Sequence, residues 1–179
     1  MSRSHYSMNS GQGFTIRGTA KLLNVASARY GGDWHSVPHT HGHMELFFIV
    51  GGKGQFLIED RLHPVNVNNL VIINPNVTHT EVSLNAQPLE YIVLGIDGIE
   101  LTAGGGSNGK YNILDHYESV EVSTCLRNIL REMEQKNTGY EDVCQAYMEI
   151  LIIRLMRNID LAVPTAPQLG SGNQQCATV

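Results

Sequence analysis

The strongest constraint on the fold is a change in the spacing of apolar residues along the chain. From about residue 21 to 102, short runs rich in Val, Ile, Phe and Tyr are separated by Gly, Pro, Asn and Asp. Such runs are typical of β-strands, and without intervening helices they favour a barrel or sandwich of mostly antiparallel strands. After Gly104–Gly109 the apolar residues recur at helical spacing. The chain is therefore predicted to be mainly β, with two C-terminal α-helices.

The turn and cap residues place the individual elements. Gly51–Gly54 is predicted to be a hairpin connection, because glycine adopts the positive φ that such turns need. Asp115 with Glu118 can cap the first helix, and the second is predicted at about 139–160. The predicted strands lie near Leu22–Tyr30, His43–Val50, Gln55–Glu59, Leu70–Ile73, Thr80–Leu84 and Glu90–Ile96.

Composition divides the chain into five segments. Residues 1–20, rich in Ser, Gly and Asn, are predicted to form a flexible arm, and residues 21–102 the barrel. Residues 103–114 form a glycine-rich connection, and residues 115–160 a two-helix element. Residues 161–179 are rich in Pro, Gly, Gln and Ser, and are predicted to be a linker to a further domain.

The second predicted helix carries apolar residues on more than one face. A helix lying on a barrel hides only one face, so the remainder needs another cover. A symmetric partner provides one, since an antiparallel helix pair is self-complementary. The alternative is a helix wedged inside its own chain. The residues predicted to form a homodimer interface are Tyr147, Ile150, Leu151, Ile153, Arg154 and Leu155.

The charge balance argues against direct nucleic-acid binding. The chain has 12 Lys+Arg and 17 Asp+Glu, giving a net charge of −5, whereas a duplex-binding surface is normally a basic patch. No run approaches the roughly 18 apolar residues of a membrane helix, and the N-terminus lacks the layout of a secretory signal. We therefore expect a cytoplasmic protein without membrane contact.

A cluster of histidines marks the candidate binding site. Residues two apart share a face of a strand, so that His39, His41, His43 and Glu45 can converge on the barrel interior. Three imidazoles and a carboxylate suit a divalent transition metal such as Zn, Ni, Mn or Fe.

A later strand can add a fourth imidazole, that of His79. Its orientation is left open by the sequence. Either the polar set His79, Glu81 and Ser83 faces a hydrated cavity, or it faces solvent and the alternate set, Thr80, Val82 and Leu84, faces inward.

These residues resemble those of a known family. The pattern His39-x-His41-x-x-x-Glu45, followed by Gly52, resembles the first cupin motif, and Asn69 through His79 resembles the second. The resemblance implies a double-stranded β-helix, a small jelly-roll-like barrel. In cupin enzymes the matching residues hold a metal, which here implies His39, His41, Glu45 and His79. The second motif departs from the pattern, with Asn69 in place of glycine and one residue fewer before His79.

The form of the motifs is similar to one branch in particular. Pro38-His39-x-His41, Glu45-Leu46 with an apolar strand ending in glycine, and Asn74-Pro75-x-x-x-His79 resemble the N-terminal sensing domain of AraC-type transcription regulators. This resemblance implies a cupin barrel, two helices of which the second dimerises, and a linker to a helix-turn-helix domain. Such barrels take a small effector, often a sugar, and commonly hold no metal.

Two functions follow from these resemblances. The first is an effector-binding and dimerisation domain that requires no cofactor, performs no catalysis and contacts DNA only through a domain outside this chain. The alternative is a metal-dependent cupin enzyme, an oxygenase or isomerase, that uses the four implied ligands. The residues predicted to contact the small molecule are His39, His41, His43, Glu45, His79, Trp34 and Tyr30.

Overall fold

The computed structural model of the chain contains ten strands and two helices within the residues that it describes. The described residues are 4, 6, 7, 16, 18–31, 37–83, 87–103, 109–115, 117, 119–159 and 161–162. The strands are β1 Lys21–Tyr30, β2 Met44–Gly51, β3 Lys53–Ile58, β4 Arg61–Asn66, β5 Leu70–Ile73, β6 His79–Ser83, β7 Leu89–Asp97, β8 Thr102–Ala103, β9 Tyr111–Leu114 and β10 Leu161–Ala162. The helices are α1 Val120–Gln135 and α2 Tyr140–Ile159. The predicted mainly β architecture followed by two helices is confirmed.

Two antiparallel sheets form the barrel. One has five strands in the order β1-β7-β2-β5-β9, and the other has three in the order β4-β3-β6. A buried apolar cluster contributed by both sheets, the barrel cluster, fills the space between them, as expected for facing sheets. Its members are Phe47, Ile49, Phe56, Ile58, Val65, Val71, Ile73, Val77, Leu89 and Tyr91.

Strand β2 is buried on both faces because the helices cover the outer side of its sheet. Phe47 and Ile49 belong to the barrel cluster. The alternate residues Met44, Leu46 and Phe48 belong to a second cluster, the helix-facing cluster, which also contains the buried side chains of α1 and α2. This explains why β2 reads as a continuous apolar run rather than an alternating one.

Helix α1 begins at a serine N-cap. Ser119 caps α1, since its Oγ accepts a hydrogen bond from the backbone N–H of Val122 at 3.3 Å. Asp115 lies before this cap and does not provide it, and Glu118 lies outside the described residues. Serine is a preferred N-cap because its short side chain reaches the free N–H groups of the first turn.

Two residues of the predicted dimer interface are buried inside their own chain. Leu151 and Leu155 are completely buried within their own chain, in the cluster between the helices and the sheet. Tyr147 and Ile153 are half-buried and pack against that cluster. Leu151 and Leu155 face α1 and the sheet, so they are not available to a second copy. Ile150 is 45% exposed.

Two of the strands that the sequence did not predict, β4 and β9, lie at the edges of the barrel sheets. β4 contains Pro64 and three polar residues, a composition tolerated on an edge strand, where a missing N–H is not needed for pairing. β9 pairs with β5 and lies inside the segment 103–114 that was predicted to be a connection. Both were missed because neither has the apolar alternation of a half-buried strand.

The ends of the predicted segments make specific contacts. Ile16, within the predicted arm, is 3% exposed and belongs to the helix-facing cluster. Gln145 of α2 accepts from the N–H of Leu22 at 3.0 Å and donates to the carbonyl of Ala20 at 2.8 Å, so that it ties the start of β1 to α2. β10, within the predicted linker, pairs with β8.

Among the described residues, no helix is both long and apolar enough to cross a membrane.

Candidate functional site

Four potential metal-binding side chains converge at one end of the barrel. His39, His41, Glu45 and His79 each offer one ligand atom, and these atoms all lie within 4.8 Å of one another. His79 is 2% and Glu45 9% exposed, whereas His39 is exposed and His41 is half-buried. The cluster therefore has a buried side within the barrel and an open side toward solvent.

Backbone pairing brings the two histidine segments together. The N–H of His39 donates to the carbonyl of His79, and the N–H of His79 donates to the carbonyl of His39, each at 3.0 Å. The N–H of Asn76 donates to the carbonyl of His41 at 2.7 Å. The segment before β2 is thus held against β6 and the turn that precedes it, which places three imidazoles beside Glu45 of β2.

Hydrogen bonds to main-chain carbonyls orient two of the imidazoles. Nδ1 of His39 lies 2.9 Å from the carbonyl oxygen of Val37, and Nδ1 of His79 lies 3.0 Å from that of Val77. A carbonyl oxygen only accepts, so each Nδ1 carries the proton and a neutral ring keeps the lone pair on Nε2. This is the arrangement that metal-binding histidines use, because the outer hydrogen bond fixes the tautomer and the ring orientation.

The buried polar atoms at the centre of the cluster lack aligned hydrogen-bond partners. Nε2 of His79 lies 2.8 Å from Oε2 of Glu45, but within the described part of the chain neither atom makes a hydrogen bond of good geometry. Nε2 of His41 lies 3.5 Å from Oε1 of Glu45. Buried polar atoms left in this way are costly, and a cation between them satisfies both. Three imidazole nitrogens and one carboxylate therefore fit a divalent transition metal.

The two imidazoles nearest Glu45 have opposite pKa shifts. Desolvation by burial lowers the pKa of His79, but contact with the Glu45 carboxylate and the bond to Val77 raise it by more, so the net pKa lies above its ordinary value. Burial lowers the pKa of His41 by more than Glu45 raises it. The cluster without an ion therefore favours a proton on His79 and a neutral ring on His41.

The remaining predicted ligand-binding residues are placed differently. The ring of His43 stacks on that of His41, with centroids 5.0 Å apart, but His43 is not one of the four converging groups. The hydroxyl of Tyr30 lies 3.1 Å from that of Tyr91, in a separate polar group of the barrel. Trp34 lies outside the described residues.

The structure settles which face of β6 points inward. His79 pairs with Ile58 and Glu81 with Phe56, both residues of the barrel cluster, so the polar set of β6 faces the interior. Thr80, on the other face, is also buried, at 3% exposure. Because both faces are covered, alternation alone could not identify the inner one.

A second polar group in the barrel was missed by the sequence analysis. Tyr91 donates to Oε1 of Glu81 at 2.8 Å, and the two side chains are 3% and 6% exposed. Burial and the neighbouring Glu81 carboxylate raise the pKa of Tyr91, so that its hydroxyl keeps the proton it donates. Tyr91 lies within an apolar strand, where the sequence indicates a packing residue, and no local pattern indicates its contact with Glu81.

Comparison with known proteins identifies the family. The AraC-like ligand binding domain matches residues 23–154. The structure of an apo ToxT variant from Vibrio cholerae is 12% identical with a TM-score of 0.53, over 78% of this chain and 57% of that one. Wild-type ToxT from the same organism with a bound unsaturated fatty acid is 10% identical with a TM-score of 0.51, over 83% and 58%.

Other comparisons are weaker. A cupin protein from Bacteroides fragilis is 15% identical with a TM-score of 0.37, over 60% of this chain and 95% of that one. No curated protein matches the sequence. At these identities the structural likeness is one of fold, and the family assignment rests on the match over residues 23–154. The chain therefore belongs to the AraC-like ligand binding domain family and is an effector-binding regulatory domain.

Proposed function

We propose that this domain senses a small molecule at the barrel end formed by His39, His41, Glu45 and His79, as part of a dimeric transcription regulator in the cytoplasm. The observation that carries the proposal is the convergence of these four groups within 4.8 Å at a site with one buried and one open side. A few convergent polar side chains beside apolar ones are the usual anchors of a small-molecule site.

The same four residues would hold a divalent transition metal. The fixed tautomers of His39 and His79 and the unpartnered atoms of the Glu45–His79 contact support this assignment. A bound ion supplies Lewis acidity, which strengthens the binding of an oxygen-bearing effector. The protein residues orient the donors and exclude water on the buried side, where Phe47 packs against His79 with ring centroids 6.1 Å apart.

Dimerisation would use the part of α2 that remains exposed among the described residues of its own chain. Val143 and Ile150 are 38% and 45% exposed, and Ala146 between them is exposed as well. Spacings of three and four residues place the three side chains on one face of the helix. Two copies of such a stripe are self-complementary about a two-fold axis. Of the predicted interface residues, Ile150 belongs to this stripe, and Arg154, one turn further along, donates to Glu121 of α1 at 2.6 Å.

DNA would be contacted through another domain of the regulator. The net charge of −5 supports the assignment of DNA binding to another domain, because phosphate contacts need clustered Lys and Arg. Binding at the barrel would then alter the relative placement of two DNA-binding domains. A ligand can shift such an equilibrium only by the difference between its affinities for the two states.

Calorimetry tests the site directly. We expect metal-free protein to bind one equivalent of Zn²⁺ or Ni²⁺, and His79→Asn to lose this binding, while His63→Asn keeps it because His63 lies outside the cluster. Thermal-shift screening of sugars and unsaturated fatty acids, with and without the ion, then identifies the effector class. Unchanged metal binding in His79→Asn would contradict the site. Turnover of a screened compound by the metal-loaded protein would favour the alternative, a cupin enzyme.

A further inference from the structure

We infer that the ion held by the four-residue cluster is itself an effector of this domain, and that β2 transmits the structural change caused by ion binding to α1 and α2. The inference rests on the proposed metal site and adds a regulatory role to it. Three features of the structure carry it: the spacing of the donor atoms, the packing beneath them and the two faces of β2.

The spacing of the donors implies that binding changes the structure around them. The four ligand atoms all lie within 4.8 Å of one another, and Nε2 of His79 and Oε2 of Glu45 are in contact at 2.8 Å. In a tetrahedral zinc site with bonds of about 2.1 Å, neighbouring donors lie roughly 3.4 Å apart. Binding therefore requires the contacting pair to separate, so the states with and without the ion differ.

The space beneath the cluster is filled by packed aromatic rings. Phe47 and Phe56 are 2% and 0% exposed, and their ring centroids lie 5.0 Å apart. Tyr91 packs against Phe47 with centroids 5.2 Å apart. An ion needs only the space between its donors, so it fits this end of the barrel without displacing the rings. A densely packed layer also passes on small displacements rather than absorbing them.

Strand β2 connects the cluster to the helices. Glu45 faces the other imidazole-bearing elements, while its neighbours Met44 and Leu46 point to the opposite side of the sheet and are completely buried. Met44 and Leu46 belong to the same apolar cluster as Met148 and Leu151 of α2. A displacement of Glu45 therefore moves side chains that pack in the core shared with the proposed dimerisation helix.

The methionines of the chain provide natural reporters for this route. Met44 lies on β2 and Met148 on α2, and both are completely buried in the helix-facing cluster. We would label the methionine methyl groups of the full chain with carbon-13, assign them by Met→Leu substitution, and titrate with Zn²⁺. Zinc is diamagnetic, so that changes in chemical shift report structural change. Calorimetry on the same samples gives the stoichiometry.

The expected result is that the signals of Met44 and Met148 both shift by more than a linewidth and saturate together at one equivalent of zinc. Glu45→Gln, or His41→Asn if that variant does not fold, should abolish both shifts, and His63→Asn should leave them intact. Calorimetric binding with a shift of Met44 but not of Met148 would overturn the inference and leave the metal site standing. Absence of calorimetric binding would overturn both.

Discussion

Nε2 of His79 lies 2.8 Å from Oε2 of Glu45, and this contact joins the two sheets of the barrel. Glu45 belongs to the five-stranded sheet and His79 to the three-stranded one. Both side chains are buried, so neither can replace this contact by a hydrogen bond to solvent water. The contact is therefore satisfied either by a proton on His79 or by a cation shared with His39 and His41. Because the contact joins the two sheets, binding of the proton or the cation is linked to the packing of one sheet against the other.

Glu45→Gln should remove most of the stabilisation that metal gives the wild-type protein. An ion at 100 times its dissociation constant raises the free energy of unfolding by about 2.7 kcal/mol if it binds only the folded state. The amide keeps the size of Glu45 but removes the negative charge that balances the ion. We expect a rise in melting temperature with Zn²⁺ for the wild type and for His63→Asn, and little for Glu45→Gln. An equal rise in all three proteins would show that the ion binds elsewhere.

His63 should make stability depend on pH below about 6.5, the ordinary pKa of histidine. Burial, with a contribution from Arg61, lowers the pKa of His63, so the folded state favours the neutral ring. Its Nε2 lies 3.1 Å from the hydroxyl of Tyr111, where edge strands β4 and β9 approach each other. The stabilisation is present above the unfolded pKa and is lost as the pH falls through the lowered folded one.

The measurement is the melting temperature of metal-free wild type and His63→Asn between pH 7.5 and pH 5. The difference between the two proteins should shrink toward acid, and modestly, because His63 is half-exposed. An NMR titration of the ring gives its pKa directly. A value above the ordinary one would contradict the assignment.

The barrel, the helices and three of the four converging residues could be predicted because each has a local signal. The change from runs of β-formers to helical spacing identifies the two parts of the fold. His39, His41 and Glu45 lie close together in the sequence, so their proximity in the structure needs little long-range information. His79 required the resemblance to the second cupin motif, since only the pairing of β6 with the segment before β2 brings it there.

The remaining features depend on contacts between distant segments. Glu81 and Tyr91 come from β6 and β7, which lie in different sheets, and no local pattern in either strand indicates that their side chains meet. The apolar residues of α2 cover more than one face, and only the packing against α1 and the sheet shows that Leu151 is core while Ile150 is not. The sequence thus identified the composition of this helix but not its orientation.

Leu151→Ala should destabilise the chain far more than Ile150→Ala. Leu151 is completely buried among the side chains of the helix-facing cluster, and truncation of such a residue costs about 2–5 kcal/mol through lost burial and the cavity left behind. Ile150 is 45% exposed, and its truncation should cost less than about 1 kcal/mol in the monomer. Urea unfolding at low protein concentration measures both, and equal costs would show that α2 packs with a different face.

Ile150→Glu should convert a dimer into monomers if the exposed stripe of α2 is the interface. A charge placed in a self-complementary apolar stripe is buried against the stripe of the other copy, so the cost of desolvation and the repulsion between the two introduced charges both oppose association. The matched control is Val120→Glu, at a position on α1 that is 81% exposed. Sedimentation equilibrium should give a dimer for the wild type and Val120→Glu, and a monomer for Ile150→Glu. A dimer in all three would place the interface elsewhere.

Gly52→Ala should destabilise the barrel, whereas Gly42→Ala should not. Gly52 has a φ of 71° in the turn between β2 and β3, and a Cβ there would lie 1.8 Å from the carbonyl oxygen of Pro88. The left-handed conformation alone costs a residue with a side chain roughly 1–2 kcal/mol, and the overlap with backbone forces the turn away from β7 as well. At Gly42, which has no such φ, no atom of the described residues lies within 4 Å of an added Cβ. We therefore expect Gly52→Ala to lower the free energy of unfolding by at least about 2 kcal/mol in urea, with Gly42→Ala close to the wild type. Equal stability of the two variants would show that the turn relaxes without loss of the strand pairing that positions Glu45.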